Sequence, residues 1–270
     1  MNQNRETIGT DIEAVITSFN QGRMIVEAVE SLCTQTLLPQ KIIIVDDGST
    51  DEFSIRVLKD IEKMSDLPVP VMIYYQENRG VSSARNTGIK KAQAPMVLVL
   101  DGDDKLEPEY AACVSQLLRD NPLMVAASSW MHTFGVLDSV VCPSGGKISA
   151  FLSRNCCPAT HILRRDVFEQ CGGYDETMRS GFEDWDFFLG MLETNVDSRI
   201  GIVEKPLLWY RTAPASSNIK SMDKRLELMR FMIEKHVESY HDHIVDALLG
   251  IESISNFRLF NWENEVTHMI

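Results

Sequence analysis

Apolar residues gather in four short runs, Glu13–Ile16, Lys41–Val45, Val71–Tyr75 and Met96–Leu100, with room for one helix between successive runs. Runs without strict alternation suit strands covered on both faces, as in a parallel sheet flanked by helices. In the first gap Ile25, Ala28, Val29, Leu32 and Cys33 fall at helical spacing. In the second Ile55, Leu58, Ile61 and Met64 do the same, with Ser49, Thr50 or Asp51 as cap and Pro68 and Pro70 as stops. Val81, Ala84, Arg85, Gly88, Ile89 and Ala92 make a third, shorter helix. Residues 11 to about 104 therefore read as an α/β unit, a Rossmann-like nucleotide-binding sheet of four strands and three crossovers.

Beyond Pro108 the pattern changes. Tyr110–Arg119 predicts a helix, Met124–Ser129 a strand, Ser139–Gly146 a loop, and Ile162–Cys171 a strand and helix closed by Gly172 and Gly173. Glu183 and Asp184 start a helix whose Trp185, Phe188, Leu189 and Leu192 share one face. Ile200–Val203 and Pro206–Tyr210 predict two more strands. From Asp223 onward, Leu226, Met229, Ile233, Val237, Tyr240, Ile244, Leu248, Ile251 and Ile254 keep helical spacing, a pair packed on the core or on a partner. The expected division is 1–105, 106–215 and 216–270, the last a helical extension.

The 270 residues are 44% apolar, enough for a sizeable core. With 39 acidic against 26 basic residues the formal charge is −13, and no basic patch interrupts it, so nucleic acid is not an expected partner. The first residues lack a signal-peptide pattern, and no apolar run approaches the roughly 18 residues of a membrane span. The expected location is the cytoplasm, with peripheral contact at the inner face of a membrane left open. Six cysteines without CxxC spacing predict reduced, mostly buried thiols, with neither a zinc knuckle nor a disulfide framework.

Chemistry concentrates at strand ends, where open α/β sheets bind ligands. The run MVLVLDGDD carries Asp101, Asp103 and Asp104, three acids whose repulsion a hard divalent cation such as Mg2+ or Mn2+ would relieve; a polar turn suits them as well. KIIIVDDGSTD ends the second strand with Asp46 and Asp47, acceptors for a base or ribose. TSFN ends the first, where Thr17 and Phe19 offer a hydroxyl and an aromatic face, unless Phe19 is core. In NRGVSSARNTGI, Arg79 and Arg85 near a helix start suit a phosphate or an ion pair with the nearby aspartates. Asp184 suits an N-cap and a general base equally well.

The ordered set TSFN, VDDGSTD, NRGVSSARNTGI, LVLDGDD, GGYDE and FEDWDFFLG, spanning residues 11 to about 211, resembles the inverting family 2 glycosyltransferases of GT-A fold. The resemblance implies that Thr17, Phe19 and Asp47 receive the nucleoside of a nucleotide sugar, most often a UDP-sugar, and that Arg85 lies near the diphosphate. It implies that Asp101 and Asp103 form the metal-binding Asp-x-Asp motif with Asp104 adjacent, Asp103 being the foremost direct ligand. Asp184 becomes the base toward an acceptor hydroxyl of a glycan, lipid-linked or small-molecule acceptor. Many members carry Tyr-Arg-x-His-x-x-Ser after the last strand. Here YRTAPAS puts Ala213 at the histidine's place, so the cation is weakly held or borrows a ligand such as His161. The motifs of processive synthases are missing, which implies transfer of a single sugar.

Three rivals remain. A nucleotidylyltransferase would carry a glycine-rich basic loop after the first strand, and TSFNQGR does not. A signalling receiver domain would place its acidic pair after the first strand and would be far shorter. A degenerate sugar-nucleotide-binding protein without turnover is compatible with Ala213.

Overall fold

The structure is a computed structural model that describes residues 11–213 and 223–254. The predicted alternation is present: β1 Ile12–Ser18, α1 Met24–Cys33, β2 Ile42–Asp46, α2 Glu52–Glu62, β3 Val71–Tyr75, α3 Val81–Lys91 and β4 Met96–Asp101. β1 pairs in parallel with β2 and β4, and β2 with β3. Every residue of β1 and β2 is buried, as strands covered on both faces require. Of the three cap candidates for α2, Asp51 is the N-cap and accepts from the Ser54 amide at 2.8 Å.

The second half extends the same sheet. Its elements are β5 Lys105–Leu106, α4 Tyr110–Asp120, β6 Met124–Gly135, β7 Ser139–Val141, α5 Ile148–Phe151, β8 His161–Arg164, α6 Arg165–Cys171, α7 Glu183–Leu192 and β9 Arg199–Thr212. Among the described residues the strand order is β3-β2-β1-β4-β8-β6-β9-β5, with β7 on β6. β8 runs antiparallel to both β4 and β6. One apolar cluster fills each face: Leu98, Ile44 and Tyr110 lie in one, Val99, Phe187 and Phe188 in the other.

Four expectations need correction. The two last predicted strands are one, β9, because the polar break at Glu204–Pro206 is absorbed by register shifts against Ser129 and Trp130 of β6. β6 is twice its predicted length, and the predicted loop after it contains β7. The pairing of β6 with β9 is non-local, and β7 is three exposed residues long, too short to show a periodicity. The C-terminal segment is helical over Arg225–Lys235, Val237–Asp242 and residues 244–254, but its buried face differs from the predicted one. Leu228, Met232, His236, Tyr240 and Ala247 are buried, whereas Leu226, Val237, Ile244, Leu248 and Ile251 are exposed. Ion pairs set this rotation: Lys235 reaches Asp175 and Asp186, and His236 reaches Asp186 and Glu193. Among the described residues no helix is long and apolar enough to cross a membrane. All six cysteines are free; Cys156 and Cys157 are buried, and Cys142 is exposed.

Candidate active site

A cleft of about 1030 Å³ opens at the carboxyl ends of β1, β2 and β4, and Thr17, Phe19, Asp47, Arg85, Asp101, Asp103, Asp104 and Asp184 all line it. Its location follows from topology. β2 and β3 are laid down on one side of β1 and β4 on the other, and the splayed loops at such a reversal leave a crevice. Thr17 and Asp101 are register partners across that seam, and the Thr17 hydroxyl donates to Asp101 Oδ1 at 3.1 Å.

On the nucleoside side, the Asp47 carboxylate is held by the amides of Arg79 and Gly80, at 2.9 and 2.8 Å, and by Gln76 Nε2 at 2.8 Å. Gln76 is itself aimed by the Thr87 hydroxyl. Gly48, at φ +74, allows the approach, since a Cβ there would stand 2.8 Å from the Asn78 nitrogen. Asp46, expected beside Asp47 as an acceptor, instead takes the Ser49 amide and hydroxyl and closes the turn. Phe19 is 45% exposed, so it is a free aromatic face rather than core.

At the centre lies Arg85, 2% exposed. Its Nη2 donates to both oxygens of Asp101 at 2.8 and 3.0 Å, its Nη1 pairs with Asp184, and Glu183 stands 3.9 Å away. Of the roles open to Arg85, the ion pair is the one formed within the protein. α7 presents Asp184 from the opposite wall. It begins after Gly181 and Phe182, both at positive φ, and Phe182 rather than Asp184 is its N-cap residue. Burial pushes the Asp184 carboxyl up to about 7, against the pull of Arg85.

The acidic strand end divides its work. Asp101 is turned onto Arg85 and Thr17, while Asp104 accepts the Arg211 amide at 2.8 Å. Asp103 lines the cleft with no side chain of the described residues donating to its carboxylate. Burial and the neighbouring Asp101 push Asp103 up to about 6, and burial with Asp103 and Asp101 pushes Asp104 well above the usual range. Such crowding suits a cation. Among the described residues no three His, Cys, Asp or Glu side chains group as ligands for one ion. A Mg2+-like ion needs fewer, since it is commonly held by one or two carboxylates together with substrate phosphates. Asp103 fits that description.

His161 is not among the residues lining the cleft, and its Nε2 is buried with no hydrogen-bond partner among the described residues. Its ring is fully buried against Phe187 and Phe188, Nδ1 is bonded to the Ala159 carbonyl, and burial pulls its pKa down to about 3. Ala213 does line the cleft, whereas residues 214–216 of the same segment lie outside the described ones. Arg211 was missed as a site residue: its Nε donates to the Asp103 carbonyl, its Nη2 to Glu27, and its guanidinium lies 4.4 Å from the Phe134 ring centre. The Tyr-Arg pair closing β9 was the available signal. Arg179 was also missed; it lines the cleft from a loop without recognisable pattern.

The chain is similar to known proteins in sequence and in fold. The chain is 26% identical over 236 residues to the uncharacterized glycosyltransferase YwdF of Bacillus subtilis, covering 83% of this chain and 84% of that one. It is 30% identical over 168 residues to a glucosyl-dolichyl phosphate glucuronosyltransferase of Haloferax volcanii, covering 57% and 52%. The structure of S. aureus TarS 1–349 in complex with UDP-GlcNAc superimposes with a TM-score of 0.66 at 15% identity, over 85% of this chain and 69% of that one. In a longer TarS structure this chain spans 43% of the length, at a TM-score of 0.60, 18% identity and 86% coverage of this chain. The sheet is that of the GT-A fold. The model of glycosyl transferase family 2 matches residues 13–172, more than half of the sequence, and the chain belongs to that family of glycosyltransferases.

Proposed function

We propose that this enzyme transfers a single sugar from a UDP-sugar to a hydroxyl of a glycan, lipid-linked or small-molecule acceptor, with inversion at the anomeric carbon and with help from a divalent cation. The observation that carries the reading is Asp184 facing Asp101 and Asp103 across one cleft, with Arg85 between them. The uridine stacks on Phe19 and meets Thr17 and Asp47. Arg85 offsets charge near the diphosphate from beneath, since Asp101 and Asp184 hold it there. Asp103 would hold Mg2+ or Mn2+, and such an ion would supply Lewis-acid stabilisation of a diphosphate leaving group. Donor binding falls to residues 1–105 and acceptor binding to 106–215, with 216–270 as an extension.

The chemistry follows from these positions. An acceptor hydroxyl is a poor nucleophile, and Asp184, with its pKa raised toward neutrality, removes the proton as the oxygen attacks the anomeric carbon. The new carbon–oxygen bond forms as the bond to the β-phosphate breaks, and that electron pair leaves with UDP. UDP-GlcNAc in the TarS complex supports testing that donor first. A screen of UDP-sugars with MgCl2 or MnCl2 should give UDP binding and UDP release in the wild type. Asp184→Asn should bind UDP normally and release it roughly 10²- to 10⁴-fold more slowly. Binding with equal, background release in both proteins would favour a nucleotide-sugar-binding protein without turnover, the reading that Ala213 supports.

A further inference from the structure

Two motif residues have no part in that chemistry, Asn86 beside Arg85 and Tyr174 in GGYDE. The Asn86 side chain is 3% exposed and exchanges two hydrogen bonds with the Tyr174 backbone: Nδ2 donates to the carbonyl at 2.9 Å, and Oδ1 accepts from the amide at 2.9 Å. Nδ2 also donates to Glu176 Oε1 at 3.0 Å. Residue 173 must be small for this approach. A Cβ on Gly173, at φ +83, would stand 2.7 Å from Asn86 Oδ1 and 2.9 Å from the Phe168 ring.

Held in this way, the Tyr174 ring touches Arg85 and the helix that carries Asp184. One contact stacks it on Phe187, with centroids 3.9 Å apart and planes at 18°; Phe187 lies three residues after Asp184 in α7. The other sets its centre 5.4 Å from the Arg85 guanidinium carbon. The Tyr174 hydroxyl is buried with no hydrogen-bond partner among the described residues, so the ring and not the hydroxyl makes these contacts.

We propose that Asn86 and Tyr174 are positioning residues that hold α3 and α7 in the register at which Asp184 faces the cleft, a role that rests on the reading of Asp184 as the base. The side-chain amide of Asn86 fixes the loop, the loop fixes the ring, and the ring fixes Arg85 and the start of α7 together. Donor binding rests on Thr17, Phe19, Asp47 and Asp103, which the clamp does not touch, and Arg85 keeps its hydrogen bonds to Asp101, so UDP affinity changes little when the clamp is loosened.

The test compares Asn86→Ala, Tyr174→Leu and Tyr174→Phe with wild type and Asp184→Asn. UDP affinity is measured by calorimetry with MnCl2, turnover as UDP release from the UDP-sugar the wild type uses, and amide exchange at residues 182–187 against 96–101. Asn86→Ala and Tyr174→Leu should hold the UDP Kd within about twofold while kcat falls about 100-fold, the scale of a misplaced catalytic group. Exchange should rise at 182–187 alone, and Tyr174→Phe should match the wild type. Unchanged exchange at 182–187, parallel loss of UDP affinity and kcat, or a Tyr174→Phe as impaired as Tyr174→Leu would each overturn the proposal. So would failure of both truncated variants to fold, which would make the clamp purely structural. If Asp184→Asn turns over normally, the assignment of the base has failed, and the exchange data still decide the clamp.

Discussion

Arg85 and Asp184 stand 99 positions apart and meet in a direct ion pair, while the other arm of the same guanidinium takes both oxygens of Asp101. One buried cation thus joins the strand end that carries the acidic motif to the helix that carries the candidate base. With the cation almost fully buried, its partners screen it in place of water.

Removing that cation should destabilise the protein more than the lost packing would. Arg85→Leu leaves two carboxylates facing each other in the cleft, and urea unfolding should show a loss of about 3–5 kcal/mol. Adding Asp184→Leu to it should restore part of that loss, because the pair is coupled.

Asp103 should carry the metal dependence of donor binding. In the wild type, MnCl2 should strengthen UDP binding, and in Asp103→Asn titration calorimetry should return the same affinity with and without it. Loss of metal-free binding as well would point to a disrupted strand end instead.

Gly102 separates Asp101 from Asp103, and a Cβ there would stand 2.6 Å from the Thr17 carbonyl and 3.0 Å from Ile25 Cδ1. Backbone cannot yield as a side-chain tip does. Gly102→Ala should cost about 1–3 kcal/mol in thermal or urea unfolding and weaken UDP binding, because β4 must move away from β1.

Stability should fall on the alkaline side through His236. Burial pulls its pKa down, but hydrogen bonds to Asp186 and Glu193 outweigh that and raise it to about 9, with Lys235 also on Asp186. Its folded pKa lies above the ordinary value of about 6.5. The contribution is therefore complete below about pH 6.5 and is lost as pH rises through about 9. Melting temperatures across pH 6 to 10 should show this decline, and His236→Gln should flatten it.

Most of the α/β half was legible because its signals are local. Ile42–Val45 and Met96–Leu100 are apolar over their whole length, and strands of that kind belong inside a parallel sheet. The acids following them mark the strand ends at which such sheets bind ligands. The second half was read less well. Glu204, Lys205 and Pro206 look like a break, and only pairing with the distant Trp130 makes β9 continuous. The C-terminal helices were found, but their buried face was not, since His236 and Lys235 turn toward partners that periodicity does not register.

The site divides along the same line. The sequence by itself determined which side chains are present at the motif positions and, through resemblance, the family to which they belong. Tertiary structure alone decided that Arg85 is tied to Asp101 and Asp184, that Asp46 closes a turn while Asp47 lines the cleft, that His161 is buried against Phe187 and Phe188, and that Asn86 grips Tyr174. The physical reason is sequence separation. Strand and helix signals come from neighbours a few residues apart, whereas an ion pair spanning 99 positions exists only once the two halves have packed.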